Sequence, residues 1–301
     1  MNHIAERAGY CFGSYPEFEI DQYLSILSEI RHVDFRLDRP IVYSVDKYQT
    51  TLERRGSYCE DAVEFLVSSG ANRVGLIFQF RDGLVRHKLP IFTKTRLVGG
   101  GNGVILNLHS HRHWNFEHVL GGDLPFKEKR ADLEWRGAST GSTRGTFQRY
   151  TLVSKYAKMY NIGFSQTTPA TDWIEGEYIT GKLSPGEQLQ YKYILSVEGN
   201  DVATNLKWIR ASASVPIMPA PTVESWLMES KLHPWVHYVP VSPEFDDIAE
   251  ILQWCRDNDE QCEAIARNGQ MYMKQFTLGN QTAVYRIIYR LFRDICSHSE
   301  W

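Results

Sequence analysis

Short, nearly unbroken apolar runs, each followed by a turn and an amphipathic stretch, constrain this chain more than any other feature. The plainest run is 73–80 (RVGLIFQF). A strand apolar on both sides has to be buried on both faces, as happens in parallel sheets covered by crossover helices. Further strand patterns fall at 40–45, 89–93, 103–108, 132–135, 193–197, 214–218 and 237–241. Helical patterns fall at 21–31, 60–69, 146–160, 202–213, 222–230, 245–256, 259–276 and 280–296. Strand, helix, strand at this spacing predicts βαβ units and an α/β fold. The glycine-rich stretch 99–103 (GGGNG) reads as a flexible turn, and a polar join at 127–130 separates two blocks. The expected architecture is two Rossmann-like lobes facing a central cleft, with ligands at the carboxyl ends of the strands. The lobes divide at 130/131. The first is 1–130, with the helix at 279–301 packing back on it, and the second is 131–278.

The bulk properties exclude several classes. A chain of 301 residues buries a large core without staples. Its formal net charge of −3 gives no general pull toward nucleic acid. The five cysteines are odd in number and lack CxxC spacing, which speaks against a disulfide framework or zinc cluster and for a reducing compartment. The opening residues carry charges and no apolar signal segment, and no apolar run is long enough to span a bilayer. The expectation is a cytoplasmic protein.

The sharpest local signal is 193–207 (YILSVEGNDVATNLK), where an apolar strand runs into Glu198, Gly199, Asn200 and Asp201, and a helix follows at once. Gly199 permits a tight turn, and Asn200 or Asp201 can cap the helix. The first helical N–H groups would then form an anion site fit for a diphosphate. An ordinary capped turn explains the same residues. Neither GxGxxG nor GxxxxGK[ST] occurs, so dinucleotide and P-loop readings lose their support. A second cluster, 135–149 (WRGASTGSTRGTFQR), sets Arg136, Arg144 and Arg149 around small-residue turns. It reads as a phosphate clamp or as a solvated basic loop.

At these clusters the chain resembles glycosyltransferase family 90, which includes protein O-glucosyltransferases, capsule-associated xylosyltransferases and bacterial lipopolysaccharide glycosyltransferases. The resemblance rests on the order of WRGASTG (135–141), the 192–207 segment, SVPIMPAPTVESW (214–226), LHPWVHYVPV (232–241) and the helices of 245–276. It implies a GT-B fold and inverting transfer from a UDP-sugar to an acceptor hydroxyl without a divalent metal or other cofactor. It places the catalytic base at Asp82, in IFQFRDGL before PIFTK, although the proline of the family motif is absent there. It assigns donor binding to Arg136 and Gly137, to Arg144 and Arg149, and to the segment Glu198, Gly199, Asn200, Asp201, Thr204, Asn205 and Lys207. Glu224 falls where an acidic residue could take the ribose hydroxyls. Protein O-glucosyltransferase members carry an arginine at the position of Asn205, so the chain looks like the bacterial branch, with a glycan or glycolipid acceptor.

The chemistry suits those residue types. A carboxylate accepts the proton of the attacking hydroxyl, while fixed cations and N–H donors meet the charge on departing UDP. His111, His113 and Trp114 read as an acceptor or sugar border; HxH spacing also occurs in metal sites, but no carboxylate or cysteine partner stands nearby. The DxD string at Asp257 and Asp259 reads as a junction between two helices. The last helix carries Arg286, Arg290 and Arg293, which leaves room for peripheral contact with an inner membrane. Two alternatives stay open: a protein O-glycosyltransferase, and a non-catalytic relative that binds UDP or carbohydrate.

Overall fold

The computed structural model describes residues 2–13, 42–46, 49–53, 57–70, 76–80, 90–99, 103–114, 116, 119, 122–141, 143–276 and 278–297. The expected helix at 21–31 and Asp82 lie outside the described residues. The fold is α/β and divides into two compact units. Unit 1 is Met1–Arg112, Val223–Met228 and Phe276–Trp301; unit 2 is His113–Thr222 and Glu229–Gln275.

Unit 1 opens with α1 (Asn2–Phe12), β1 (Val42–Asp46), β2 (Gln49–Glu53), α2 (Ser57–Ser69), β3 (Phe78–Gln79), β4 (Phe92–Thr93), β5 (Thr95–Leu97) and β6 (Val104–Ile105). Unit 2 follows with β7 (Arg130–Ala138), α3 (Thr143–Tyr156), β8 (Asn161–Gln166), β9 (Tyr191–Leu195), α4 (Leu206–Ala211) and β10 (Val215–Met218). Strand β11 (Val223–Ser225) returns to unit 1. Unit 2 ends with β12 (Val239–Pro240), α5 (Ile248–Asp257) and α6 (Asp259–Met273), and unit 1 with α7 (Leu278–Ser297).

In unit 1 the sheet order is β2-β1-β3-β4-β6, parallel except for the β1–β2 hairpin. Phe65, Phe78, Phe92, Tyr285 and Phe292 fill its core with ring centroids 5.1–5.5 Å apart. The apolar stripe of α7 (Val284, Tyr285, Ile288 and Phe292) is buried, and α7 packs on α1 and α2. Arg286 and Arg290 stay exposed. Among the described residues no helix is long and apolar enough to cross a membrane.

The helix expected at 222–230 is a misreading. Val223, Trp226 and Leu227 mimic helical spacing, but Val223–Ser225 form β11, which pairs antiparallel with β5. The register sets Glu224 against Arg96, and the two make a buried 2.6 Å ion pair.

In unit 2 every pairing is parallel, in the order β12-β10-β9-β7-β8. The continuous core joins Leu133 and Trp135 of β7, Tyr193 and Leu195 of β9, Leu152 and Val153 of α3, and Ile265 of α6. The chain steps from β7 out to β8 and then back across β7 to β9. The turns after β7 and β9 therefore flank the reversal of strand order, where an open parallel sheet leaves a crevice.

The helix expected at 202–213 is also shorter than its pattern. It starts at Leu206 and ends at Ala211. Residues 201–205 are bends and turns because the Asn205 side chain bonds backward. Its amide donates to the Leu195 carbonyl at 2.9 Å, and its oxygen accepts from Ser196 Oγ at 3.1 Å. Asparagine competes in this way with helical geometry.

Candidate functional site

The carboxyl ends of unit 2 are joined by polar ties. Arg149, on the second turn of α3, reaches both turns at the strand reversal. Its guanidinium donates to the carbonyls of Ala138 (2.8 Å), Thr140 (2.9 Å), Val197 (3.0 Å) and Glu198 (3.1 Å). A planar fork of five donors suits four converging carbonyls, which a lysine could not match. Gly199 makes room for it, since a β-carbon there would come within 2.7 Å of Arg149 Nη2. Gly137 likewise makes room for the Trp135 ring, and the Arg149 guanidinium lies 5.7 Å from the centroid of that ring.

The other ends are tied in turn. Ser139 Oγ bonds Thr171 Oγ1 in the turn after β8, and Ser139 N–H donates to the Gln166 carbonyl. Thr171 also closes a reciprocal capping box with Thr168. The Glu198 carboxylate accepts from the Thr222 N–H at 2.9 Å and from its hydroxyl, joining the turns after β9 and β10. Four strand ends are thus linked. Asn200 stands exposed on the rim, with Thr204 half-buried beside it.

Several expected donor-side residues serve the fold itself. Lys207 is buried, 3.5 Å from the buried Glu229 carboxylate. Because α4 starts six residues after Asn200, the helix N-terminus expected directly behind Asp201 is displaced to Leu206, and the helix is only about one and a half turns long. Asp201 is buried, and its carbonyl accepts from Gly199 N–H. Arg136 points toward the amino end of β8, where its guanidinium bonds the Asn161 side chain at 2.6 Å and the Asn161 carbonyl at 3.3 Å. Glu224 belongs to unit 1 and is held by Arg96 and the Tyr10 hydroxyl. Nothing is described for the Arg144 side chain. His111 is exposed in unit 1, while in unit 2 His113 is buried and Trp114 packs edge-on against Phe116.

Sequence reasoning missed Glu134. It lies in the middle of β7 between β8 and β9, fully buried, and neither carboxylate oxygen has a hydrogen-bond partner. Burial pushes its carboxyl up to about 8, against the pull of half-buried Arg136. The signal was a charge placed between the apolar Leu133 and Trp135 of the ADLEW strand pattern.

The metal-like strings have other contacts. Asp257 accepts from Gln253, and Asp259 opens α6 and pairs with Lys192 at 2.6 Å. Among the described residues no group of three His, Cys, Asp or Glu side chains could hold a metal ion.

Comparison with known proteins bears on this site. Residues 114–294 match the family model for Glycosyl transferase family 90. A 200-residue stretch is 39% identical to "O-glucosyltransferase LpsA" of Dichelobacter nodosus, covering 66% of this chain and 60% of that protein. A 96-residue stretch is 31% identical to "Protein O-glucosyltransferase 2" of Danio rerio, covering 32% of this chain and 19% of the relative. An 83-residue stretch is 32% identical to "Protein O-glucosyltransferase 3" of Homo sapiens, covering 27% and 16%. The chain thus spans under two thirds of each of these relatives.

Proposed function

The chain belongs to glycosyltransferase family 90, and from that premise we propose that it transfers a sugar, with inversion, from a UDP-sugar to a glycan hydroxyl in lipopolysaccharide or surface-polysaccharide synthesis. The observation that carries this reading is the pair of turns after β7 and β9, held together by Arg149 where the parallel sheet reverses its strand order. Such a crevice is where open α/β sheets take nucleotides. The name of the Dichelobacter relative, an O-glucosyltransferase, favours glucose as the sugar, and Asn205, where protein O-glucosyltransferases carry an arginine, favours a glycan acceptor.

In this reading the fold is a GT-B pair of lobes, with the donor on unit 2. The main-chain N–H groups of the two turns and the Arg144 guanidinium meet the diphosphate, and Asn200 and Thr204 border it. Arg149, Glu198 and Asn205 act as positioning residues that hold the turns in shape. Asp82 takes the proton of the attacking acceptor hydroxyl. The hydroxyl oxygen bonds to the anomeric carbon as the bond to the UDP oxygen breaks, and fixed donors stabilise the charge leaving with UDP without a divalent ion.

The test is turnover of UDP-glucose, UDP-xylose and UDP-galactose in EDTA, with and without lipopolysaccharide-core acceptors, for wild type and Asp82→Asn. Acceptor-dependent release of UDP from one donor, lost in Asp82→Asn, is expected. Equal transfer by the variant removes Asp82 from the mechanism.

A further inference from the structure

At the amino end of the unit 2 sheet, opposite the tied turns, the surface opens into a pocket of about 400 Å³. It is lined by Trp235, Trp254, Gln261, Ala264, Ile265 and Asn268. That volume lies within the range of roughly 300–1,000 Å³ common for small-molecule sites. Trp235 leads into β12, Trp254 sits near the end of α5, and the other four come from the first three turns of α6.

Trp235 is held there at a cost to the backbone. Its φ is +64°, a left-handed conformation that bulky side chains avoid, yet 45% of its surface is exposed. The loop around it is locked. Trp235 N–H donates to the Tyr238 carbonyl at 2.7 Å, and His237 N–H to the His233 carbonyl at 2.8 Å. His233 N–H donates to His237 Nδ1 at 2.9 Å, the Asn268 amide to the Val236 carbonyl at 3.0 Å, and buried Arg210 to the His237 carbonyl at 2.6 Å. Strain maintained by so many bonds points to use of the side chain it presents.

The chemistry of the wall is specific. The Trp235 and Trp254 rings meet edge to face, with centroids 4.5 Å apart. Neither indole N–H makes a hydrogen bond among the described residues, and the Gln261 amide stands exposed with none of its own. A rigid aromatic face flanked by amide and indole donors matches a sugar ring, which is apolar on its C–H face and ringed by hydroxyls. A hydrocarbon or lipid occupant would leave those donors unmatched. We infer that this pocket is a second saccharide site, in which a pyranose ring of a glycan lies on Trp235 and bonds Gln261, Asn268 and the indole N–H groups. It lies at the opposite end of the sheet from the proposed donor crevice, and suits holding a polymeric acceptor away from the reacting end.

The test titrates the intact chain with maltotriose, cellotriose and xylotriose, reading tryptophan fluorescence and calorimetry, for wild type, Trp235→Gly and Gln261→Ala. Glycine accepts the left-handed backbone freely, which offsets part of the packing lost with the Trp235 ring, so Trp235→Gly should still melt cooperatively and close to the wild-type temperature. At least one saccharide should saturate the wild type. Its affinity should fall tenfold or more in Trp235→Gly and severalfold in Gln261→Ala, while Trp235→Gly keeps the wild-type affinity for UDP in a separate titration. Saccharide binding that depends on Trp235 in a chain without UDP-sugar turnover would keep this site and remove the transferase reading. No saturation by any saccharide, equal binding by Trp235→Gly, or fluorescence quenched only by phosphatidylglycerol vesicles overturns the proposal.

Discussion

Replacing Glu134 with glutamine should make the protein more stable at alkaline pH and leave it unchanged in acid. Glu134 is fully buried and unpartnered, and burial raises its carboxyl from the ordinary 4.5 to about 8. Between those values the folded chain keeps a proton that the unfolded chain has released, so stability falls as pH rises through that window. At 1.36 kcal/mol for each pH unit, the loss reaches a ceiling of about 5 kcal/mol once pH exceeds 8. Glutamine has the shape of the protonated acid and cannot ionise. Melting followed by circular dichroism from pH 5 to 9 should show matching curves at pH 5. The variant should then lead by several degrees at pH 9, at about 2–4 °C for each kcal/mol in a unit of this size. Parallel pH profiles, or a variant weaker at pH 9, would refute the reasoning and mean that the carboxylate is ionised and paired.

Arg149→Lys should cost at least about 2 kcal/mol in unit 2, because one ammonium cannot replace a fork that serves four carbonyls; urea unfolding measures it. Gly199→Ala drives a β-carbon to 2.7 Å from the same guanidinium and should raise the KM for donor more than it lowers kcat. His237 is pushed down to about 4 by burial, with buried Arg210 and stacked His233 adding to it. The unfolded chain therefore binds a proton between 6.5 and about 4 that the folded chain does not, and stability falls as pH drops through that window. His237→Gln should flatten that acid limb of the melting profile, and an unchanged limb would exclude His237 as its source.

The sequence showed four of the five strands of the unit 2 sheet, because runs such as YILSV and SVPIM are apolar on both sides and sit at βαβ spacing; β8 (Asn161–Gln166) was not read as a strand. It was misleading where short polar side chains act on the backbone. Asn205 ties itself to the end of β9, so α4 starts late. Val223, Trp226 and Leu227 share helical spacing, yet the backbone at Val223–Ser225 is taken by β5. Arg149, Gly137 and Gly199 stood out in the sequence as candidates, but the contacts they make in the fold did not. One-dimensional spacing does not tell whether an arginine faces a ligand or four carbonyls. Glu134 was passed over because β7 carries charges at alternate positions (Arg130, Asp132, Glu134 and Arg136), which reads as one solvated face until the neighbours on both sides are known.

The central claim is that unit 2 holds a UDP-sugar without a metal. Calorimetric titration of the full chain with UDP in EDTA, repeated with Arg149→Lys, tests it most directly. The account predicts EDTA-insensitive binding to the wild type, weakened at least tenfold in the variant. Binding that disappears in EDTA, or that Arg149→Lys leaves unchanged, contradicts it.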